Sequence, residues 1–305
     1  MNGRRGIAQL IVLWTLLLLG TLATGFALSM RAEAHAARNG IDSLRAYYQA
    51  RTGISMAITL LSTLPAEELA GVLIEGEEED ASYYVKISGE GGKININTVS
   101  EDNLLEILMR GGLLAAEAES LRDAIFDWKD ADDDPRPFGA ESVEYAQMRE
   151  PLFPRNENLA SIEELRNVRG VTQELYDRFL SRVFTVHGSG AKVNASEASV
   201  IVLNSLPGVS SEAVAEILEK QKEGSKITLA DLAGMEVRGL LTQKGLLMFS
   251  SGTSSQVYEV ISTGRAGERG VIHTVRCLVS VSGRGKDGKS ARILRWVDLF
   301  IREGG

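Results

Sequence analysis

The stretch Arg4-Arg5-Gly6-Ile7-Ala8-Gln9-Leu10-Ile11-Val12-Leu13-Trp14-Thr15-Leu16-Leu17-Leu18-Leu19 decides the architecture of this chain. From Ile7 to Met30 no residue is charged, and in a helix these 24 residues span about 36 Å, enough to cross a hydrocarbon core of roughly 30 Å. Arg4 and Arg5 stand before the segment, so the positive-inside rule places the first residues in the cytoplasm. A cleaved secretory signal is the competing reading, and Ala23 to Ala27 offers small residues for a cleavage site. Against it, the apolar run is long and its continuation reads as more helix.

Working outward, no proline interrupts Arg31 to Leu64. Ile41, Leu44, Tyr48, Ile54, Ile58 and Leu61 recur mostly at three- or four-residue gaps, which predicts one apolar stripe ending before Pro65. The expectation is a single helix over 7–64, on the order of 85 Å long, half in lipid and half packed on a globular head. Gly20, Gly25, Gly40 and Gly53 make it bendable, so two helices with a kink are the alternative.

The run Arg4 to Trp14 resembles the leader of type IV pilin-like proteins. In that family a prepilin peptidase cuts after the glycine on the cytoplasmic side and methylates the new amino terminus. The resemblance therefore implies a leader over 1–6, processing at Gly6 and Ile7, a single-pass inner-membrane helix and a periplasmic head. One departure is informative. The family has Glu at the fifth mature position, and here that position is Ile11. That Glu neutralises the amino terminus of a neighbouring subunit inside an apolar filament, where a lone charge is costly. A subunit without it suits the tip, above which no further amine arrives. The K-type minor pseudopilins of type II secretion systems lack that Glu, and the chain resembles them along nearly its whole length. Other minor pseudopilins, prepilin peptidase and the inner membrane are the partners this implies.

Beyond the helix the chain reads as a foldable head. Of 305 residues 44% are hydrophobic and 24% charged, which excludes wholesale disorder. Pro65 to Asp80 reads as a polar, solvated loop with an acidic run at Glu75 and Glu77 to Asp80. Ser82 to Ser88 alternates as a strand does, Glu90-Gly91-Gly92 is a turn, and Lys93 to Asn97 is a second short strand. Gln256 to Thr263, Val271 to Ser282 and Ala291 to Ile301 are three further β-branched runs. The predicted fold class is α+β: a long pilin-like helix packed on an antiparallel sheet from 81–97 and 256–301. A large helical domain, 98–255, is inserted between strands, and K-type pseudopilins resemble the chain in having such an insertion.

Within the insertion, Asn97-Thr98-Val99-Ser100 and Asn194-Ala195-Ser196-Glu197 suggest a weak internal repeat with capping residues before helices. Val168-Arg169-Gly170-Val171-Thr172 and Leu206-Pro207-Gly208-Val209-Ser210 look like helix-hairpin-helix turns. Such turns can present backbone N–H groups to a phosphate. They raise the rival reading, a membrane-anchored DNA receptor similar to the competence proteins, which share sequence of the Ile94-Asn95-Ile96-Asn97-Thr98 type. Thr172 and Ser210 stand where the DNA-binding hairpin has its second glycine, and Glu174, Asp177, Glu212, Glu216 and Glu219 oppose a polyanion. The hairpins are expected to be architecture, with no nucleic acid bound. The net charge of −8, from 33 Lys+Arg against 41 Asp+Glu, points the same way.

The sharpest chemical signal is Asp127-Trp128-Lys129-Asp130-Ala131-Asp132-Asp133-Asp134, followed by Gly139-Ala140-Glu141. Carboxylates at this density repel unless solvent or a cation offsets them, and hard oxygen donors suit Ca²⁺. Asp130, Asp132 and Asp134 fall at positions 1, 3 and 5 of a calcium loop, with Glu141 at position 12. Pro135 stands where the EF-hand turn requires glycine, so a loop of another geometry is expected. An acidic turn neutralised by Lys129, Arg136 or Arg149 is the alternative. K-type pseudopilins bind calcium at a similar Asp-Trp-x-Asp-x-Asp…Arg-x-x-Gly-Ala-Glu segment. By that resemblance Asp127, Asp130, Asp132, Arg136, Gly139, Ala140 and Glu141 match in order, over 127–141, and the cation would be structural.

Nothing in the sequence points to catalysis. No nucleophile elbow or phosphate loop accompanies the carboxylates, and the three histidines, His35, His187 and His273, lie far apart. No small-molecule substrate is expected. Cys277 is the one cysteine, which excludes an internal disulfide and predicts a buried thiol on an alternating strand.

Overall fold

A computed structural model of the chain describes residues 3–64, 73–78, 80–148, 151–188, 193–223, 227, 231, 256–267, 270–282 and 289–299, with side chains from residue 10 onward. The first helix, α1 (Gly3–Thr63), is continuous over 61 residues. At about 1.5 Å per residue it is roughly 90 Å long. No break divides it. Its membrane-length half, Leu10 to Met30, is exposed throughout, as a lipid-facing segment requires.

The second half packs on a five-stranded antiparallel sheet. β1 (Leu73–Glu78), β2 (Ala81–Gly89), β5 (Val257–Ala266), β6 (Val271–Ser282) and β7 (Ser290–Leu299) lie side by side in that order. Val85, Ile87, Val260, Val275, Cys277 and Val279 face the helix and pack on Ala50, Ile54, Ala57 and Leu61. The expected stripe was out of phase in its first half. Ile41, Leu44 and Tyr48 are exposed, while Ala46, Ala50, Ile54, Ala57 and Leu61 are buried. Distance is the reason. A Cβ on Gly264 of β5 would lie 2.0 Å from the Ala46 carbonyl oxygen, and one on Gly53 would lie 2.3 Å from Ser262 Oγ. At Gly264 helix and sheet touch at backbone range, so there only small side chains such as Ala46 and Ala50 fit between them, and Ile54 and Leu61 pack farther along the helix.

Two further expectations are corrected. The acidic stretch expected as a loop over 65–80 contains strand β1, which pairs with β2 from Leu73↔Lys86 to Glu78↔Ala81. Alternation there is masked because Glu fills three of its four exposed positions, Leu73 is the fourth, and its other face is half covered. The short strand expected over Lys93 to Asn97 shrinks to β3 (Ile94–Asn95) and leaves the main sheet altogether. It pairs in parallel with β4 (Phe184–Thr185), so the insertion begins at Glu90, not at Thr98. Its expected end at 255 lies outside the described residues, as does Ile301. Gly89 pairs with Tyr258, so the chain leaves and re-enters the sheet at one point.

The insertion has its own core. It contains α2 (Glu101–Arg110), α3 (Ala115–Lys129), α4 (Ser142–Ala146), α5 (Gln173–Leu175), α6 (Ser181–Val183), α7 (Val200–Ser205) and α8 (Ser211–Lys222). A 3₁₀ helix, Ile162–Asn167, precedes α5, and a π-turn, Tyr176–Leu180, joins α5 to α6. Leu104, Ile107, Ile125, Trp128, Tyr145 and Phe184 sit at the centre, each at most 4% exposed. The internal repeat is present with its register moved by two residues. Asn95, rather than Asn97, matches Asn194: Asn95 Oδ1 accepts from Asn97 N at 2.9 Å, and Asn194 Oδ1 accepts from Ser196 N at 3.0 Å. Each turn then leads to a serine N-cap, Ser100 or Ser199.

Candidate metal centre

Helix α3 delivers the acidic segment to the interior. Its spacing turns Asp123, Asp127 and Trp128 inward, and Asp130 closes its carboxyl end, with Asp130 N donating to Phe126 O at 3.0 Å. The chain then loops outward and returns. Phe138 N donates to Asp123 Oδ2 at 3.2 Å, which pins the returning strand of the loop.

Asp127 and Arg136 form the fastening. The buried Asp127 carboxylate accepts from Arg136 N at 3.2 Å and from Arg136 Nη1 at 2.8 Å. Arg136 also pairs with Asp130, and its Nη2 reaches Glu101 Oε1 of α2 at 3.1 Å. Gly139 passes so close that a Cβ there would lie 1.7 Å from Asp127 Oδ2. Burial raises the Asp127 pKa, while the hydrogen bonds from Arg136 pull it back down. Beside them, burial and the neighbouring Arg136 charge lower Lys129 to about 8, and its Nζ donates to Ile96 O at 3.0 Å.

Three carboxylates converge next to that fastening. Asp130, Asp132 and Glu141 place one oxygen each within 4.8 Å of one another. Asp130 Oδ1 and both Glu141 carboxylate oxygens are buried without a hydrogen-bond donor among the described residues. Burial, then the charges of Asp127, Asp130, Asp133 and Asp132, push Glu141 up to about 7. Of the five residues expected as ligands, the structure brings together Asp130, Asp132 and Glu141. Asp127 is instead engaged by Arg136. Asp134 stays exposed outside the group, and its backbone N–H holds Asp132 Oδ1 at 3.1 Å. Gly6 and Ile7 lie on the backbone of α1, in the helix.

Asn156 was not legible as a participant. Its Nδ2 donates to Asp132 O and to Asp133 Oδ1, both at 3.4 Å, and its N–H donates to Trp128 O at 3.1 Å. Its Oδ1 is shielded and has no donor among the described residues. The backbone sits at φ 51, a left-handed conformation asparagine tolerates better than most residues. No spacing rule links it to the aspartates, and with Asn158 two residues on the sequence does not single it out. The donor set fits a hard cation. Asp130 Oδ1, both Glu141 oxygens and Asn156 Oδ1 are pure acceptors in want of positive charge or a donor.

Both helix-hairpin-helix turns are formed. Gly170 has φ +90 and Gly208 φ +74, conformations that glycine adopts without strain. Thr172 Oγ1 accepts from Leu175 N at 3.1 Å and Ser210 Oγ from Ala213 N at 3.2 Å. The side chains thus occupy amide groups that a phosphate would need. A third hairpin, missed in the sequence, joins α2 to α3 through Gly112 at φ +100. Gly111-Gly112 before Leu113 and Leu114 was the signal for it.

Comparison with known proteins gives consistent matches. Residues 91–187 match the family model described as type II secretion system (T2SS), protein K. The chain is 27% identical over 293 residues to the type II secretion system protein K of Pectobacterium carotovorum subsp. carotovorum, covering 83% of each. With the protein K of Pseudomonas aeruginosa it is 23% identical, over 94% of this chain and 91% of that one. Against the putative type II secretion system protein K of Escherichia coli K12 the identity is 23%, and the chain spans 66% of that relative's length. A chain in the crystal structure of the GspK-GspI-GspJ complex from enterotoxigenic E. coli shares the fold, with TM-score 0.57, 16% identity, and coverage of 88% of this chain and 98% of that one.

Proposed function

The chain belongs to the type II secretion system protein K family, and from that membership we propose that it is a non-enzymatic minor pseudopilin at the tip of the secretion pseudopilus. There it would help to initiate assembly and so support protein export across the outer membrane. The observation that carries this is α1, one unbroken helix whose apolar membrane-length half runs directly into the half that seats the sheet. Ile41, Leu44 and Tyr48, exposed just beyond that half, offer an apolar surface for the helix of a neighbouring subunit. Ile11 leaves the position of the neutralising Glu apolar, which suits a subunit with none above it. The similar solved chain comes from a complex with GspI and GspJ, which supports other minor pseudopilins as partners here.

Processing is part of the proposal. Prepilin peptidase would cut after Gly6 and methylate Ile7, leaving the protein in the inner membrane with its head in the periplasm. Mass spectrometry of the membrane-extracted protein tests it: the expected amino terminus is N-methyl-Ile7, and a start near Leu28 would remove the filament argument. Loss of the protein should impair secretion of folded periplasmic proteins. Normal secretion with lost DNA uptake would favour the membrane-anchored DNA receptor instead.

Calcium is the proposed cation. Asp130, Asp132 and Glu141 would hold it, with Asn156 supplying a neutral oxygen, while Asp127 and Arg136 keep the loop in place. The cation would supply the positive charge that lets these crowded carboxylates, Glu141 buried among them, stay ionised. Calorimetric titration with Ca²⁺ should give binding heat for the native protein and none for Asp130→Ala/Asp132→Ala. Equal heats in both would dismiss the site.

A further inference from the structure

Two edges end the sheet, β1 and β7, and they are unlike. β7 pairs on one side only, with β6 from Thr274↔Leu299 to Ser282↔Ser290. Among the described residues no strand or backbone hydrogen bond occupies its other side. A cleft of about 760 Å³ opens beside it, between the outer sheet face and the inserted domain. The cleft is not apolar. Five Lys and Arg side chains line it against four carboxylates, and Arg295 of β7 reaches across to pair with Glu163 of the insertion. Arg292, exposed two residues before the bulged Leu294, adds a further positive charge on the same strand.

The two faces of β7 differ in chemistry. Arg292 and Arg295 stand opposite Ser280 and Leu278, on the face away from α1. Ile293 and Trp296 stand opposite Val279 and Cys277, on the face toward α1, and Ile293 is still 42% exposed. A strand added to this edge would send alternate side chains to each face. One set would meet exposed Arg292 and, beside the cleft, Arg295 with its partner Glu163, and the other would cover Ile293 and Trp296. We infer that the edge of β7, free among the described residues, is a strand-addition site for an extended segment of another protein, with Asp or Glu at alternate positions and apolar residues between. Backbone pairing would supply affinity, and the arginines would select acidic side chains and fix register.

The test uses the full-length protein in detergent and a fluorescent octapeptide of alternating Glu and Val, read by anisotropy. Binding is expected, with affinity lowered roughly fivefold by Arg292→Glu, the scale of exposed ion pairs. The peptide with Lys in place of Glu should bind at least as poorly as the acidic one does to that variant. A version N-methylated at the ladder-facing amides should lose more than about tenfold, because it removes several backbone hydrogen bonds. Equal binding of the N-methylated peptide would overturn strand addition, and equal binding of the Lys peptide would overturn the acidic preference. No binding of any peptide would overturn the site. Oligomers of the chain alone that are abolished by Glu75→Lys/Glu77→Lys would identify a second copy's β1 as guest, and overturn the assignment to another protein.

Discussion

Asp127 and Glu141 are both buried carboxylates, and their surroundings separate them. Asp127 accepts hydrogen bonds from Arg136, whereas Glu141 faces other acids with no donor. Folded Glu141 keeps its proton up to about 7, while an unfolded glutamate releases it near about 4.3. In that window the metal-free fold binds more protons than the unfolded chain, so its stability falls as pH rises from about 4.3 to about 7. Below the window the contribution is fully present. The calcium proposed for this site would compete with the same proton, so its apparent affinity should rise with pH through about 7 and then level off. Thermal melts of the metal-free protein and calorimetric titrations across the window check both slopes. Glu141→Gln should flatten the melts, and an unchanged slope would show that another group titrates. Gly139→Ala tests the fastening: with its Cβ 1.7 Å from Asp127 Oδ2, it should cost about 1–3 kcal/mol in denaturation, even with calcium absent.

At the scale of elements, the contact between α1 and the sheet is the informative one. Periodicity in the sequence marks apolar residues, and two faces of α1 carry them. Which face meets the sheet is decided by approach distance, because Gly264 brings the sheet backbone onto the helix backbone at Ala46 and Gly53 brings the helix backbone onto the side chains of Ser262 and Val85. Ala50→Leu should therefore destabilise the head by about 1–3 kcal/mol through overpacking. Leu44→Ala, on the exposed face, should change it by no more than about 0.5 kcal/mol. Chemical denaturation of the two variants side by side distinguishes them, and the reverse ranking would contradict the packing. Strand β1 belongs here too. A strand with apolar Leu73 exposed, Glu at its other exposed positions and Gly76 at its centre, beside the Tyr83 ring, carries too little apolar alternation to be read from sequence.

For the whole molecule, the adjacency of β2 and β5 has a consequence. Because the insertion leaves and returns beside Gly89 and Tyr258, the sheet does not depend on it for its own pairing. Replacing residues 90–255 by a short turn should leave a membrane-inserted protein with a folded, melting sheet. Secretion should fail in that variant if the insertion is needed at the tip. Loss of cooperative melting would mean that the two cores stabilise each other.

The sequence by itself determined the long apolar helix, the three carboxy-terminal strands and the acidic segment. Each is a local pattern: an uncharged run, an alternation, a density of carboxylates. Two helix-hairpin-helix turns were equally legible, since a glycine between helices is a local requirement of backbone geometry. Tertiary structure alone decided which face of α1 is buried, that Ile94 and Asn95 pair with Phe184 and Thr185, and which aspartates converge. It also separated Asp127, taken by Arg136, from Asp130, Asp132 and Glu141, and brought Asn156 to them. Those outcomes depend on distances between segments far apart in the chain. A sequence records which groups are present and how they repeat, but the energy of a buried charge depends on the groups that folding places beside it.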